Sequence, residues 1–133
     1  MTKNLQTTNI EIGNIGENAA CDYLRGQKYK ILFRNQKEGF DEIDIIARSS
    51  KGTLVFIEVK TLHEFRDSSL CLSPEDQLTF KKLYKISRGC TRFAAKHPDL
   101  IDNKKGWRID LIAINLGNDK NEFRIRHYEN ILG

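Results

Sequence analysis

Two strand-like stretches of the chain carry charged residues within otherwise apolar sequence. Asp44 interrupts residues 42–48 (EIDIIAR), and Glu58 and Lys60 interrupt residues 53–60 (TLVFIEVK). Because side chains alternate across a strand, Glu58 and Lys60 share one face. Paired carboxylates can hold a divalent cation, and a nearby ammonium can assist the attack of water on a phosphate. These residue types therefore predict a site for phosphoester chemistry, provided that the fold brings the two strands together.

The turn between these strands decides whether the acids meet. Residues 50–52 (SKG) match a three-residue hairpin loop with glycine in the left-handed position, which pairs Ser49 with Thr53. Counting back from that pair places Asp44 opposite Glu58. A four-residue loop would instead turn the Asp44 carboxylate to the other face, since a slip of one residue inverts every side chain. We favour the first register because the glycine stands at the required position.

In the favoured register two like charges oppose each other, which destabilises a bare strand pair. Lys60 is one group that offsets the repulsion, and a divalent cation is the other. Mg²⁺ typically uses one or two carboxylates, water and substrate phosphate, so we expect Mg²⁺, with Mn²⁺ as an alternative. The competing interpretation is a solvated strand end, where Glu58 and Lys60 form an ordinary ion pair without function.

The remaining sequence predicts the scaffold that positions these residues. Residues 1–8 are polar and aperiodic and predict a flexible N-terminus, whereas residues 9–133 predict one domain. Helical patterns cover residues 9–25 and 74–95, the second with Ser73-Pro74-Glu75-Asp76 as its start signal. Strands are predicted over residues 29–35, 42–48, 53–60, 107–116 and 122–128, and a loop over 61–72. This order predicts a single three-layer α/β domain, with a mixed sheet of about five strands flanked by helices.

The composition fits a soluble globular protein. Hydrophobic residues make up 39% of the chain and charged residues 30%, and the net charge is +4. This mild positive charge favours a polyanionic partner. No segment predicts a secretory signal or a membrane span. The three histidines are scattered and are expected at the surface. Three widely separated cysteines favour a cytoplasmic setting: Cys21, Cys71 and Cys90.

A basic stripe follows the second predicted helix. Lys81, Lys85, Arg88 and Arg92 recur at steps of four, three and four residues and so lie on one side of a helix. Such a stripe can follow a phosphate backbone. The alternative is a solvated helix face without a ligand.

Four short motifs occur in order along the chain: GExxA from Gly16, EIDII from Glu42, FIEVK from Phe56 and RID from Arg108. In this order and spacing the sequence resembles the PD-(D/E)xK nuclease superfamily. More narrowly, it resembles the YraN-like family of bacterial proteins, which is similar to archaeal Holliday-junction resolvases. The resemblance extends over residues 15–132.

The resemblance implies a restriction-endonuclease-like αβββαβ core and a metal-dependent endonuclease acting on DNA, including branched DNA. It implies that Asp44, Glu58 and Glu17 hold the metal, and that Lys60 orients or deprotonates the attacking water or steadies charge on the phosphate. The wider set comprises substrate-binding residues Lys81, Lys82, Lys85 and Arg88, and supporting residues Glu42, Gln77 and Asp110. Arg108 and Asp110 lie on one face of their strand, and either a structural ion pair between them or a hydrogen bond that supports the site is expected. Since a four-way junction has two strands to cut, the resemblance is compatible with a homodimer.

The sequence departs from the family at Phe40-Asp41, where small residues commonly precede Glu-Ile-Asp. This departure alters the expected shape of the loop and adds an acid beside the site. Two alternatives to a nuclease stay open. A nucleic-acid-binding module that does not cleave would need only the basic face, and a protein-interaction module would show an exposed apolar patch.

Overall fold

The computed structural model of the chain describes residues 9–63, 78–117 and 122–133. These residues form two α-helices, one short 3₁₀ helix at Pro98–Leu100 and five β-strands. The helices are α1 (Asn9–Gly26) and α2 (Phe80–Lys96), and the strands are β1 (Lys30–Glu38), β2 (Asp41–Arg48), β3 (Leu54–His63), β4 (Trp107–Leu116) and β5 (Phe123–Tyr128). The predicted flexible segment, residues 1–8, lies outside the described residues.

The five strands form one mixed sheet in the order β1-β2-β3-β4-β5. Strands β1, β2 and β3 are successive antiparallel neighbours, and β5 is antiparallel to β4. Strand β4 pairs parallel to β3, and the connection between them contains α2. Parallel neighbours need a crossover of this kind. The prediction of a single α/β domain with a mixed five-stranded sheet is confirmed.

The two helices cover opposite faces of the sheet. On the α1 face, Leu24 packs with Ile45 and Ile57, whereas on the α2 face Phe93 packs with Phe56. Alternate residues of β2 and β3 therefore enter different cores. Burial on both faces explains why these central strands read as nearly continuous apolar runs.

The β2–β3 hairpin has the predicted register. The Ser49 N–H donates to the Thr53 carbonyl at 2.9 Å, and Gly52 has a φ of 97°. A residue with a side chain rarely adopts this conformation, so Gly52 is required for the turn. The backbone pairs continue inward to Ile45 and Ile57. Asp44 and Glu58 follow directly after that last pair, and the negative charge of Glu58 raises the Asp44 pKa.

Strand β3 is longer than predicted. Residues 61–63 were expected in a loop, but they continue the strand because their parallel pairing with β4 extends to His63 and Leu116. Leu62 is also buried. The polar Thr61 and His63 conceal this extension in the sequence, since the pairing is made by backbone groups.

The predicted start of the second helix is wrong for the residues that the structure describes. Leu78 and Thr79 are not helical, and α2 begins at Phe80. The Thr79 Oγ1 atom accepts a hydrogen bond from the Lys82 N–H at 3.2 Å, which is a typical N-cap. The Ser73-Pro74 signal lies outside the described residues.

Two cysteines are buried within these layers. Cys21 on α1 and Cys90 on α2 are free thiols, and burial raises the pKa of both. They pack as small apolar residues. Cys71 lies outside the described residues. Neither helix in the described ranges has the length and apolar character to cross a membrane.

Candidate functional site

The candidate site forms where β2 and β3 separate. Beyond the Ile45–Ile57 pair, Asp44 Oδ2 accepts a hydrogen bond from the Val59 N–H at 2.8 Å. The side chain of Asp44 thus satisfies a backbone N–H of β3 at a position where β2 no longer pairs with β3 through its backbone. This bond holds Asp44 beside Glu58, as the hairpin register predicts.

Glu58 and Lys60 lie together on the α2 face of β3. Their Oε2 and Nζ atoms are 3.1 Å apart, and their side chains are 14% and 23% exposed. Ile57 and Val59, which alternate with them, are buried in the α1 core. The apolar residues therefore fix the strand, while the charged residues face a partly hydrated space.

The pair of acids gives the site unfavourable electrostatics. Burial raises the pKa of Asp44 to about 8, and the negative charge of Glu58 contributes to the increase. The hydrogen bond from Val59 and the charge of Lys60 lower the pKa, but they do not compensate fully. An ionised Asp44 therefore requires more positive charge than the protein supplies.

A third acid approaches from α1. Gly16 is buried against β3, and a Cβ atom there would overlap the Thr61 hydroxyl. This close contact places the next residue, Glu17, at the end of the sheet where Asp44 lies, and its charge further raises the Asp44 pKa. Glu17 Oε1 is 3.5 Å from Arg34 Nη2. Burial raises the Glu17 pKa, and Arg34 opposes that change.

The charges of these acids fit a divalent cation, although they do not form a complete ligand set. A cation next to Asp44 and Glu58 would remove the repulsion that raises the Asp44 pKa. Mg²⁺ needs only one or two carboxylates when water and substrate fill the other positions. Within residues 9–63, 78–117 and 122–133, however, no three His, Cys, Asp or Glu side chains form a group that could hold a metal ion. Any cation would therefore take much of its coordination from water or substrate.

The site opens into a cleft of about 230 Å³ between the β1–β2 hairpin and α2. Glu58 and Lys60 form its floor, and Lys82 and Lys85 of α2 line its wall. Lys81 is exposed but does not line the cleft. Two of the four predicted substrate-binding residues thus face the candidate site.

Comparison with known proteins shows the family. Residues 16–114 match the uncharacterised protein family UPF0102. The chain belongs to UPF0102. The matched range contains Glu17, Asp44, Glu58 and Lys60, and the match confirms the resemblance to YraN-like proteins.

Curated UPF0102 proteins of two bacterial species match along most of their length. A UPF0102 protein of Clostridium botulinum (strain Loch Maree / Type A3) is 35% identical over 92% of this chain and 94% of its own. Another, from strain Hall, is 37% identical over the same shares. A UPF0102 protein of Trichlorobacter lovleyi is 35% identical over 92% of this chain and 90% of its own. The similarity therefore covers most of the chain.

Arg88 makes a contact within the protein that the sequence did not predict. In this UPF0102 chain its guanidinium makes two hydrogen bonds to the Asp41 carboxylate, at 2.8 and 2.9 Å. The Asp41 side chain is 7% exposed, and the hydrogen bonds from Arg88 lower its pKa. Arg88 thus fixes the β1–β2 hairpin to α2, and its assignment as a substrate-binding residue stays a prediction. The additional acid that Asp41 introduces is neutralised locally.

The predicted supporting residues fall in different places. Glu42 lies at the margin of the cleft, 45% exposed, with Oε2 3.8 Å from Lys37 Nζ. Gln77 lies outside the described residues. Asp110 pairs with Ile57 on β3, so it is near the middle of the sheet rather than at the cleft.

Asp110 is the centre of a second polar cluster, on the α1 face. It is fully buried and accepts hydrogen bonds from Arg108 Nε at 2.9 Å and from the Asn130 N–H at 2.9 Å. Its Oδ2 atom is 2.8 Å from His127 Nε2. Burial alone would raise the Asp110 pKa, but these hydrogen bonds outweigh burial and lower it. The expected ion pair with Arg108 is confirmed, and it holds β4 and the C-terminal segment together.

The prediction that all histidines lie at the surface is wrong for His127. Its side chain is 8% exposed, and Nδ1 is 3.0 Å from the Tyr23 hydroxyl. The alternation of Ile125 and His127 on β5 is the sequence signal for an inward-facing side chain. Trp107 packs edge-to-face on Phe56, with the ring centroids 5.2 Å apart.

Proposed function

We propose that this UPF0102 protein is a divalent-cation-dependent endonuclease that hydrolyses phosphodiester bonds of nucleic acid. The observation that carries the proposal is the pair of acids Asp44 and Glu58, whose charges interact. Lys60 lies 3.1 Å from Glu58, and both line a cleft with further lysines. The substrate class is DNA, including branched DNA, and this part rests on the resemblance to junction resolvases.

Asp44 and Glu58 would hold the cation, which we propose to be Mg²⁺ or Mn²⁺, and Glu17 would contact it directly or through water. When bound, such an ion lowers the pKa of coordinated water and neutralises phosphate oxygens. The fixed position of Asp44, set by its bond to Val59, keeps one carboxylate in place before any ion arrives. Glu17 Oε1 lies 3.5 Å from Arg34 Nη2, and the Glu17 charge already acts on Asp44.

Lys60 supplies the remaining chemistry of the chain. Its Nζ atom is 3.1 Å from Glu58, at the floor of the cleft, where it can orient an attacking water or steady charge that develops on the phosphate. Lys82 and Lys85 on the wall can contact phosphates on either side of the bond that is cut. A homodimer would bring two such clefts to the two strands of a junction.

A cleavage assay tests the proposal. Purified protein is incubated with branched, single-stranded and duplex DNA in Mg²⁺, in Mn²⁺ and in chelator. We expect products only with a cation, because the bound ion would activate the attacking water and neutralise the phosphate oxygens. Cleavage that persists in chelator would contradict the mechanism.

The second candidate is a nucleic-acid-binding module that does not cleave. It is favoured by the ion pair between Lys60 and Glu58, which already offsets part of the negative charge. It is also favoured by the lack of a complete ligand group among the described residues. Salt-dependent DNA binding without products under any of these conditions would support this alternative.

A further inference from the structure

Phe40 is a fully exposed aromatic side chain at the candidate site. Its relative exposure is 103%, and it stands at the tip of the β1–β2 hairpin, where it lines the same cleft as Glu58 and Lys60. A ring this exposed contributes little to the core. Its position beside charged residues points to contact with a ligand.

The tip that carries Phe40 is fixed on both sides. Glu38 pairs with Asp41 across a two-residue turn, in which Gly39 has a φ of 64°. Glycine at this first position suits a tight hairpin turn. Glu38 is 3% exposed, and its Oε1 atom is 3.1 Å from Lys96 Nζ.

Asp41, on the other side of the tip, is bound by Arg88. Both ion pairs connect the hairpin to α2. The exposed ring of Phe40 therefore stands on a hairpin that α2 holds in place. A ligand that contacts the ring would lose little binding free energy to ordering of the backbone.

The cleft around the ring carries charges of both signs. Of its three acids, Asp41 is paired with Arg88 and Glu58 with Lys60, and Glu42 lies at the margin. Lys60, Lys82 and Lys85 line the same cleft. Single-strand binding sites recurrently combine lysines, which neutralise phosphates, with an aromatic ring. The ring stacks on a base, and any base can take part because every base has a flat face. A base within continuous duplex is already stacked on both faces and cannot accept the ring without distortion of the helix.

We infer that Phe40 stacks on an unpaired base next to the phosphate in the cleft. The substrate class of the site is then nucleic acid with unpaired bases at the cut position, such as single strands, flaps and open junctions, rather than continuous duplex. This inference rests on the proposed function, because the cleft must hold nucleic acid.

Binding in chelator tests the inference without cleavage. The probes are DNA strands with one 2-aminopurine, either unpaired or within duplex of the same sequence. We expect tighter binding of the unpaired probe, with a change in its fluorescence on stacking. Phe40→Ala should weaken binding of that probe at least about fivefold and leave duplex binding unchanged. Phe40→Trp should retain the preference, whereas Phe40→Leu should lose it.

The matched control is Phe123→Ala, which removes another exposed ring, 42% exposed, on β5. It should bind both probes as the native protein does. The inference is overturned if Phe40→Ala weakens both probes equally or neither, if Phe40→Leu keeps the preference, or if the native protein binds no DNA. Phe40-dependent preference without any cation-dependent cleavage would instead contradict only the nuclease proposal. Cleavage without the preference would contradict only this inference.

Discussion

Asp44 Oδ2 accepts a hydrogen bond from the backbone N–H of Val59 at 2.8 Å, and this bond joins β2 to β3 beyond their last backbone pair. Val59 stands between Glu58 and Lys60. The carboxylate proposed to hold a cation is therefore also part of the scaffold that fixes the other two residues. Asparagine at position 44 keeps the acceptor and removes the charge, so Asp44→Asn separates these two roles better than alanine does.

The first prediction concerns the pH dependence of stability without cation. The Asp44 pKa is about 8 in the folded protein, compared with 3.8 for an ordinary Asp. Between these values the folded state binds the extra proton, so the contribution of Asp44 to stability falls as pH rises. Asp44→Asn removes this loss. The free energy of unfolding of Asp44→Asn minus that of the native protein should therefore increase as pH rises, by up to about 1.4 kcal/mol per pH unit.

Denaturant unfolding in chelator, from about pH 5 to about pH 7, measures this difference between the curves. Asp22→Asn, at a side chain that is 81% exposed on α1, is the matched control and should follow the native protein. If the plots of unfolding free energy against pH are parallel for Asp44→Asn and the native protein, the Asp44 pKa is not raised in the folded state.

The second prediction is that a divalent cation stabilises the folded protein through Asp44 and Glu58. A ligand at ten times its Kd stabilises by about 1.4 kcal/mol when it binds only the folded state. Thermal unfolding should therefore show a higher Tm with Mg²⁺ for the native protein and Asp22→Asn. Neither Asp44→Asn nor Glu58→Gln should respond. An equal increase in Tm for all four proteins would point to general ion effects.

The third prediction concerns the contact that positions Glu17. A Cβ atom in Gly16→Ala would overlap Thr61, so α1 must shift away from β3. We expect a loss of about 1–3 kcal/mol in the free energy of unfolding, as for other overpacked contacts. Gly13→Ala is the matched control, since nothing lies within 4 Å of a Cβ there. It should raise stability by about 0.5–1 kcal/mol, because alanine favours a helix interior.

Cation-dependent cleavage should also fall in Gly16→Ala, measured at a temperature where it is fully folded, since Glu17 moves with the helix. Gly13→Ala should keep native activity. A Gly16→Ala protein as stable and active as Gly13→Ala would contradict the close contact of α1 with β3.

The fourth prediction separates the lysines of the cleft from other surface charges. Lys82→Ala and Lys85→Ala should each reduce the slope of log binding constant against log salt by about 1, because each removes one phosphate contact. Lys104, exposed in the turn before β4, is the control, and Lys104→Ala should leave the slope unchanged. Binding titrations at several salt concentrations supply the slopes.

Arg88→Ala provides a contrast within α2. It should lower stability, because Asp41 loses the guanidinium that binds it, and should not change the salt slope. If Arg88→Ala reduces the slope as much as Lys85→Ala, then Arg88 contacts phosphate despite its bond to Asp41.

The sequence predicted what depends on local pattern. The position of Gly52 predicted the turn, and counting back from the turn gave the backbone pairs from Arg48–Leu54 to Ile45–Ile57. Pairings between distant residues were not predicted, since Arg88 reaches Asp41 across 47 positions and His127 reaches Asp110 across 17. A charged residue on a helix face gives the same sequence pattern whether its side chain contacts solvent or another element.

Single-turnover cleavage of branched DNA in Mg²⁺ by the native protein, Asp44→Asn, Glu58→Gln and Asp22→Asn tests the central claim most directly. All four proteins should first be shown to be folded. We predict that the native protein and Asp22→Asn cleave at the same rate, and that Asp44→Asn and Glu58→Gln are slower by at least about a hundredfold, as when groups acting directly on the transition state are removed. Native-like cleavage by Asp44→Asn or Glu58→Gln, or no cleavage by the native protein, would contradict the claim.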